Sequence, residues 1–576
     1  MMQTQLAVRI GQCTDSGQKS MNQDFHGAGL PENYLLQQKG VVCAIADGIS
    51  SSNVSHIASE TAVSSFINDY FSTPESWSVK TSAERVITAI NSWLFAQTQQ
   101  SQGRFDKDRG YVCTLSTLVL KHDQAHLFHI GDARIYRIQG QQIEQLTTDH
   151  RISLSSQESY LSRALGVGQK VEVDYLKLQL YPEDIFLLMT DGVYEYLNQG
   201  EILAALSADQ DLNQVAKYLL QKALANGSTD NLTLQILQVD ALPSQAGEYF
   251  DPQYKDLPMA PALQSGDLFE DYVVKKVLHQ NHRSCLYLAQ DAHSQQPLVI
   301  KVPATDLQQQ PNAMEQFYLE EWVAKRIQND YVMRAYPQRS AKHYLYQTFE
   351  YIEGQSLKAW LKQQNQTVEV SKIIDIVEQV AKALNAFHRL EMLHQDIRPE
   401  NIMINAASQI KLIDFGSTSV KGIAEFQPEH ADLALGTLAY MAPEYFLAKP
   451  AGSCSDQYSL AVLTYYLLTQ QLPYGTEVAK CTTKKQLKKL HYYPMSQYRA
   501  DIPAWFEAAV QKALHSEAAQ RYSALSEFIY DLKHPNPRFL KQQKIALIEK
   551  NPLLFWRNLS LILILLIIGH LLLRYF

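Results

Sequence analysis

Two ordered sets of polar residues in this 576-residue chain carry the means for chemistry. The first is a series of aspartates: Asp24 in KSMNQDF, Asp47 in AIADGIS, Asp132 in HIGDARIYR, Asp191 in LLMTDGVYE and Asp230 in STDNLT. Hard divalent cations take carboxylate and carbonyl oxygens as ligands. Two such cations bridged by one carboxylate generate hydroxide at neutral pH and neutralise a phosphoryl group during in-line attack. Any single Asp-Gly is usually no more than a turn, so the weight rests on the ordered series.

The second set answers the needs of phosphoryl transfer from ATP: a cation on the phosphates, oxygens for a metal, and a carboxylate beside the attacking hydroxyl. Lys301 in LVIKV supplies the cation, and Glu320 in FYLEEWVAKRI is its expected partner, with Glu321 the adjacent alternative. HQDIRPEN offers Asp396 to accept the hydroxyl proton, Arg398 to steady the transferring phosphate and Asn401 for a metal. LIDFG offers Asp414 for the metal at the phosphates.

The elements that must position these groups follow from local patterning. GVVCAIADG and DIFLLMTDG are near-continuous apolar runs ending in Asp-Gly, which predicts buried strands delivering Asp47 and Asp191 to a sheet edge. IASETAVSSFINDYF predicts an amphipathic helix after the first of them. In the second block, YVVKKVL and PLVIKV predict strands and SKIIDIVEQVAKALNAFHRL a long helix, giving a small β-rich lobe before a helical one. Between the blocks, Ala241 to Asp267 holds four prolines with little apolar periodicity and reads as a linker.

Composition narrows the function classes. Hydrophobic residues at 46% and charged residues at 19% describe a multidomain globular chain, and a net charge of -8 offers no basic face for nucleic acid. The six cysteines show neither C-x-x-C pairs nor zinc spacing, consistent with free thiols in a reducing compartment. No charged segment followed by an apolar run opens the chain, so no cleaved secretory signal is expected. The run NLSLILILLIIGHLLLRYF, apolar from Leu559 to Leu573 and preceded by Lys541, Lys544, Lys550 and Arg557, predicts a membrane anchor. The positive-inside rule then puts the protein on the inner membrane as a single-pass chain with cytoplasmic catalytic domains.

The motifs N-x-D, A-D-G, G-D-x-R-x-Y, T-D-G and D-N-x-T, with TDH at Thr148–His150 and RALG at Arg163–Gly166, resemble the metal-dependent 2C-type Ser/Thr protein phosphatases. The resemblance implies an α/β/β/α sandwich and two or three Mn²⁺ or Mg²⁺ ions. It implies a bridging ligand at Asp47, first-metal ligands at Asp191 and Asp230, and the Gly48 carbonyl on the second metal. Asp24 would orient the water, and Asp132 with Asp191 would hold a third metal. Three departures matter. The family's phosphate-binding arginine is Lys19, a point charge without a bidentate fork; Ile49–Ser52 replace the usual Gly-Gly; and no histidine follows Gly48.

The second series, extended by GTLAYMAPE at Gly436–Glu444, by Asp456 and by Arg521, resembles the eukaryotic-like bacterial Ser/Thr kinases, which implies a bilobal fold binding ATP with Mg²⁺. Phe349 falls at the gatekeeper position and Glu350 to Ile352 at the adenine hinge, while Leu278 and Leu286 complete the expected ATP contacts. The glycine-rich loop is altered: in LHQNHRSCLY, His279, Asn281 and Ser284 occupy the three glycine positions. Asn tolerates φ > 0 and Ser is small, so weaker or slower nucleotide binding is expected rather than its loss. Gln395 replaces the arginine that pairs with a loop phosphate, which makes activation by loop phosphorylation less obligatory. Ser417, Thr418, Ser419 and Thr437 are candidate autophosphorylation sites.

The expected organisation is a multidomain α+β chain: phosphatase 1–240, linker 241–267, kinase 268–534, basic juxtamembrane segment 535–556 and transmembrane helix 557–576. The expected function is a membrane-anchored bifunctional enzyme acting on phosphoproteins, its own kinase domain among them. One alternative is a phosphatase with a nucleotide-sensing or scaffolding pseudokinase. Another is a kinase with a phosphatase-like regulatory module.

Overall fold

The computed structural model describes residues 5–106, 109–153, 159–206, 211–243, 257–281, 283–304, 310–364, 366–424, 438–540 and 552–575. Its N-terminal domain contains strands β1 (Ala7–Asp15), β2 (Asp24–Gly29), β3 (Val41–Asp47), β4 (Leu115–Lys121), β5 (Gln124–Ile130), β6 (Arg134–Gln139), β7 (Gln142–Gln145), β8 (Arg151–Ser153), β9 (Ser159–Leu161), β10 (Asp174–Gln179), β11 (Ile185–Met189) and β12 (Leu232–Ala241). The helices are α1 (Asn33–Lys39), α2 (Ser55–Ser72), α3 (Val79–Gln100), α4 (Asp191–Tyr194), α5 (Gln199–Leu206) and α6 (Leu212–Ala225). Two five-stranded sheets form, in the orders β1-β12-β11-β6-β7 and β10-β5-β4-β3-β2.

The apolar runs are continuous because these strands are buried on both faces. Along β3, Val42, Ala44 and Ala46 pack under α2 and α3, while Val41, Cys43 and Ile45 face the opposite sheet. On β12, Leu234 and Ile236 pack under α6, whereas Leu237 and Val239 turn into the space between the sheets. The period-2 alternation of a strand thus serves two cores at once and builds the four layers of an α/β/β/α sandwich.

The C-terminal domain opens with a five-stranded antiparallel sheet of β13 (Leu268–Phe269), β14 (Tyr272–Gln280), β15 (Ser284–Asp291), β16 (Pro297–Pro303) and β17 (Gln347–Glu350), with α7 (Pro311–Arg326) beside it. A helical lobe follows, with β18 (Gln355–Ser356), α8 (Leu357–Lys362), α9 (Val370–Arg389), β19 (Met392–Leu393), β20 (Ile402–Ile404), β21 (Ile410–Leu412), β22 (Ser419–Val420), α10 (Lys421–Ala424), α11 (Pro443–Phe446) and α12 (Ser453–Thr469). Its centre is α9, which buries Ile373, Ile376, Val377, Val380, Leu384 and Phe387 at helical spacing. Fully burying each such side chain contributes about 1.5–3 kcal/mol.

Part of the proline-rich stretch is folded onto the small lobe. The Leu345 amide donates to the Pro258 carbonyl at 2.8 Å, and Leu263 is buried among Phe269, Tyr272 and Tyr346. At the C-terminus, Pro552–Tyr575 is helical, and its apolar side chains from Leu561 to Ile568 are exposed. Among the described residues no helix is long and apolar enough to cross a membrane. Lys541, Lys544 and Lys550 lie outside the described residues.

Candidate active sites

In the sandwich, antiparallel pairing of β2 with β3 sets Asp24 directly opposite Asp47. Asp24 Oδ2 accepts from Thr190 Oγ1 at 2.9 Å and from Thr233 Oγ1 at 2.7 Å. Its Oδ1 is buried without a donor, and Asp47 is the neighbouring acid with which a proton could be shared. The Asp47 amide donates to Thr114 Oγ1 at 2.9 Å, tying the end of β3 to β4. Asp191 opens α4 immediately after β11, and Asp230 lies just before β12. A Cβ at Gly192 would lie 2.0 Å from the Asn231 carbonyl oxygen, so only glycine lets the Asp191 turn approach the Asp230 turn this closely. Gly48 is anchored by its amide, which donates to the Gln23 carbonyl at 3.1 Å.

Gathering these acids in one place is electrostatically costly. Burial pushes the Asp24 carboxyl up to about 7, partly offset by the two threonine hydroxyls. Burial, then the charges of Asp24, Asp191, Asp132 and Asp230, raise Asp47 well above the usual carboxylate range. Burial and Asp132 bring Asp191 to about 6, with Arg151 opposing. Among the described residues no group of three His, Cys, Asp or Glu is drawn together tightly enough to hold a metal ion as it stands. Side-chain cations also pair with the acids. Arg151 donates to Asp132 Oδ2 at 2.5 Å, to Asp191 Oδ2 at 2.6 Å and to Glu195 Oε1 at 3.0 Å. Lys19 Nζ lies 3.3 Å from Asp230 Oδ1. An all-oxygen donor set, an orphaned buried carboxylate oxygen and mutually raised carboxyls together fit hard divalent cations.

Arg151 and Glu195 were not among the residues the motifs singled out, while the threonines behind Asp24 are the Thr of T-D-G and of D-N-x-T, to which the motifs alone assign no role. Arg151 follows the TDH motif directly, and that adjacency is the signal that would have found it. The motif histidine itself is structural: His150 Nδ1 accepts from the Gly131 amide at 3.1 Å, and its Nε2 meets Asp174 at 3.0 Å.

In the second domain, the register of β15 with β16 places Leu286 opposite Lys301. Lys301 Nζ donates to Glu320 Oε2, while Glu321 turns to Lys342 at 3.0 Å, which decides between the two glutamates. Burial would lower the Lys301 ammonium pKa, but Glu320 and Asp414 more than offset that and hold it above its usual value. Burial pushes Glu320 up to about 7 against the pull of Lys301.

Asn401 Nδ2 donates to Asp396 Oδ2 at 2.6 Å and to its carbonyl at 3.0 Å, leaving Asp396 Oδ1 buried without a donor. Arg398 Nε stands 3.5 Å from Asp396 Oδ2. The backbone here is strained, with φ of +64° at Gln395 and +67° at Asp414. Asp456 on α12 holds the first of these by accepting from the His394 and Gln395 amides, each at 3.0 Å, and from His388 at 2.9 Å. Phe387, His394 and Phe415 pack in tilted and edge-to-face contacts with centroids 5.3–5.9 Å apart, joining α9, the Asp396 loop and the Asp414 loop. Arg521 pairs with Glu444 through two bonds of 2.8 Å, both side chains buried.

Phe349 is buried in the core, Ile352 packs against it, and Glu350 accepts from Lys411 at 2.5 Å and from the Arg334 amide at 2.8 Å. Leu278 is exposed and Leu286 half-buried. Thr418 is buried, so its hydroxyl is not presented for modification, whereas Ser417 is exposed. Gly436 and Thr437 lie outside the described residues.

The altered loop closes without the φ > 0 that Asn would tolerate. None of His279, Asn281 and Ser284 takes a left-handed φ. Asn281 Oδ1 instead accepts from the Arg283 and Ser284 amides, each at 2.8 Å. The side chain therefore occupies backbone donors at the tip of the hairpin. His282 lies outside the described residues.

Comparison with known proteins accords with this geometry. Residues 15–232 match the family described as protein phosphatase 2C, and residues 272–532 match the protein kinase domain. A probable serine/threonine-protein kinase of Clostridium acetobutylicum is 25% identical over 273 residues, covering 47% of this chain and 41% of its own length. The chain spans 31% to 44% of the lengths of five such curated kinases. Among solved structures, PppA, described as a key regulatory component of T6SS in Pseudomonas aeruginosa, is 21% identical with a TM-score of 0.35, covering 41% of this chain and 99% of its own. The PknI kinase domain of Mycobacterium tuberculosis is 22% identical with a TM-score of 0.38, covering 48% and 100%.

Proposed function

We propose that this chain, a fusion of a protein phosphatase 2C domain to a protein kinase domain, both transfers phosphate from ATP to protein serine or threonine and removes it by hydrolysis. The observation that carries the reading is the assembly of both constellations in one folded chain. Lys301 is held on Glu320 beside Asp414, and Asp24 faces Asp47 across a strand pair.

On the kinase side, Lys301 brings its charge to the nucleotide phosphates. Asn401 orients Asp396 so that its free oxygen accepts the proton of the incoming hydroxyl, and Arg398 steadies the phosphoryl group. On the phosphatase side, Lys19 meets the substrate phosphate, while Thr190 and Thr233 fix Asp24 to orient the attacking water. Asn401 and Asp414 would hold Mg²⁺ with ATP. Asp47, the Gly48 carbonyl, Asp191 and Asp230 would hold Mn²⁺ or Mg²⁺. When bound, these ions supply an activated water in the phosphatase and charge neutralisation in both sites.

The test gives the purified chain ATP, Mn²⁺ or Mg²⁺ and a general protein substrate. Asp47→Asn should incorporate phosphate but lose p-nitrophenyl phosphate hydrolysis by about 10²-fold or more, and Asp414→Ala should do the reverse. Absence of incorporation in Asp47→Asn ends the kinase half. A second reading, a nucleotide-sensing pseudokinase, draws on the Asn281 side chain occupying loop amides. Autophosphorylation abolished by Asp396→Ala rules that out.

We also propose that the C-terminal helix anchors the protein in the inner membrane with both domains cytoplasmic. Supporting this are the apolar run Leu559–Leu573 and the exposure of its side chains through Ile568. The substrates would be phosphoproteins at that surface, the segment after Asp414 among them. Co-flotation of the full chain with liposomes, lost on deletion of 552–576, is the expected result.

A further inference from the structure

Among the described residues the two domains meet around Glu75–Thr81, the loop between α2 and α3 with the first turn of α3, which together with Tyr34 and Lys121 touches three parts of the kinase domain. The first is the end of α7. Glu75 Oε2 accepts from Arg326 Nε at 3.1 Å and Nη2 at 2.5 Å, and Tyr34 closes the triangle with bonds of 2.8 Å to both. The Arg326 guanidinium lies 3.8 Å from the Trp322 ring centroid on the same helix, which narrows its freedom. Glu320, the partner of Lys301, sits on this helix about 9 Å back along the axis.

The second contact is the turn after α9. Glu391, at φ +55°, accepts from the Ser78 amide at 2.9 Å and from Thr81 Oγ1 at 2.8 Å. This carboxylate lies at the N-terminus of α3, where the helix dipole favours negative charge. Trp77 Nε1 donates to the Arg389 carbonyl at 3.0 Å. The same turn leads into β19 and the Asp396 loop.

The third is the segment that leaves Asp414. The Gly422 amide donates to the Ser76 carbonyl at 3.0 Å, and Lys121 Nζ donates to the Gly422 carbonyl at 3.2 Å. A Cβ at Gly422 would stand 2.7–3.0 Å from the carbonyl oxygens of Trp77, Glu75 and Ser76. The Lys421 amide donates to the Glu391 carbonyl at 3.1 Å, linking this contact to the second.

One loop of the phosphatase domain therefore grips the helix carrying Glu320, the approach to Asp396 and the exit from Asp414. We propose that Glu75, with the Ser76–Ser78 backbone that receives Gly422 and Glu391, is a positioning residue for phosphoryl transfer, supplied by the phosphatase domain and independent of its hydrolytic chemistry. Docking holds α7 and the start of the post-Asp414 segment so that Lys301, Glu320 and Asp414 stay together. By linkage, ATP with Mg²⁺ tightens the dock by the factor by which the dock favours ATP. The inference rests on the kinase reading above.

The test uses the full chain carrying Asp47→Asn, so that hydrolysis does not erase the product. Glu75→Arg and Arg326→Glu are each expected to lower kcat/KM for ATP by about five-fold or more and to raise hydrogen exchange over 311–326 and 419–424. The charge-reversed pair Glu75→Arg/Arg326→Glu should recover both readouts, and Gly422→Ala should reproduce the loss from a separate contact. In the Asp414→Ala chain, p-nitrophenyl phosphate hydrolysis should be indifferent to Glu75→Arg. Unchanged transfer in the single variants overturns the proposal, as does raised exchange with no change in transfer. If the parent transfers nothing, the kinase reading fails by itself. The dock is then read from the Kd for ATP and from exchange, where indifference to Glu75→Arg overturns the coupling.

Discussion

Arg151 is where the phosphatase site departs furthest from the metal set its resemblance implies. Its guanidinium reaches Asp132, Asp191 and Glu195, and so holds the two acids that the resemblance assigns to a third metal. A tethered cation neutralises those carboxylates without competing from solution. Arg151→Ala should therefore bind about one further Mn²⁺ per chain, read by native mass spectrometry or calorimetry. An unchanged stoichiometry would mean the arginine does not stand in for an ion. The raised carboxyls also set a pH dependence. Between their ordinary range near pH 4 and about pH 7, the metal-free native state keeps protons that the unfolded chain has lost. Stability therefore falls as pH rises through that window. Mn²⁺ displaces those protons, so it should raise the melting temperature more at pH 8 than at pH 5.5. Equal shifts at both would show that the cluster does not bind the ion.

At the scale of elements, the β14–β15 hairpin and the pairing of Arg521 with Glu444 of α11 bear on the kinase domain in different ways. The hairpin holds its amides on Asn281 Oδ1, so nucleotide phosphates that use those amides would have to displace that side chain. Asn281→Gly frees two N–H donors and should tighten ATP binding by about ten-fold, measured as a Kd. No change would show that the phosphates do not use those amides. The Arg521–Glu444 pair ties the segment after α12 to α11 and is buried on both sides. Arg521→Ala strands a buried carboxylate and should cost about 3–5 kcal/mol in denaturant unfolding, with kinase activity falling as the helical lobe loosens.

Over the whole molecule, the two proposed activities would share one dock and, if the proposed C-terminal anchor holds, one membrane surface. The dock contacts use none of Asp24, Asp47, Asp191 or Asp230, so the phosphatase domain can hold the kinase domain whether or not its own site is occupied. A phosphatase-dead chain should therefore keep its kinase activity, whereas loss of docking should not. Deleting 552–576 should leave both activities intact while removing the chain from the membrane fraction. Coupled loss of activity would place the helix inside the catalytic architecture instead.

Much of this was legible in the amino-acid sequence because it depends on local pattern. Strands buried on both faces read as apolar runs, α9 shows its helical spacing, Asp47 and Asp191 sit at the ends of such runs, and Asp396 and Asp414 stand in the short motifs HQDIRPEN and LIDFG, so residue types and order pointed to the chemistry. Other features required the tertiary structure, because they join residues whose meeting no local period encodes. Glu320 rather than Glu321 faces Lys301 only once the rotation of α7 is set by packing. Arg151 gathers acids 19 and 40 residues away, and the folding of Pro258–Asp267 onto the small lobe leaves no periodic trace. The contact between Glu75 and Arg326 spans 251 residues, and it exists only because two independently patterned cores come to rest against each other.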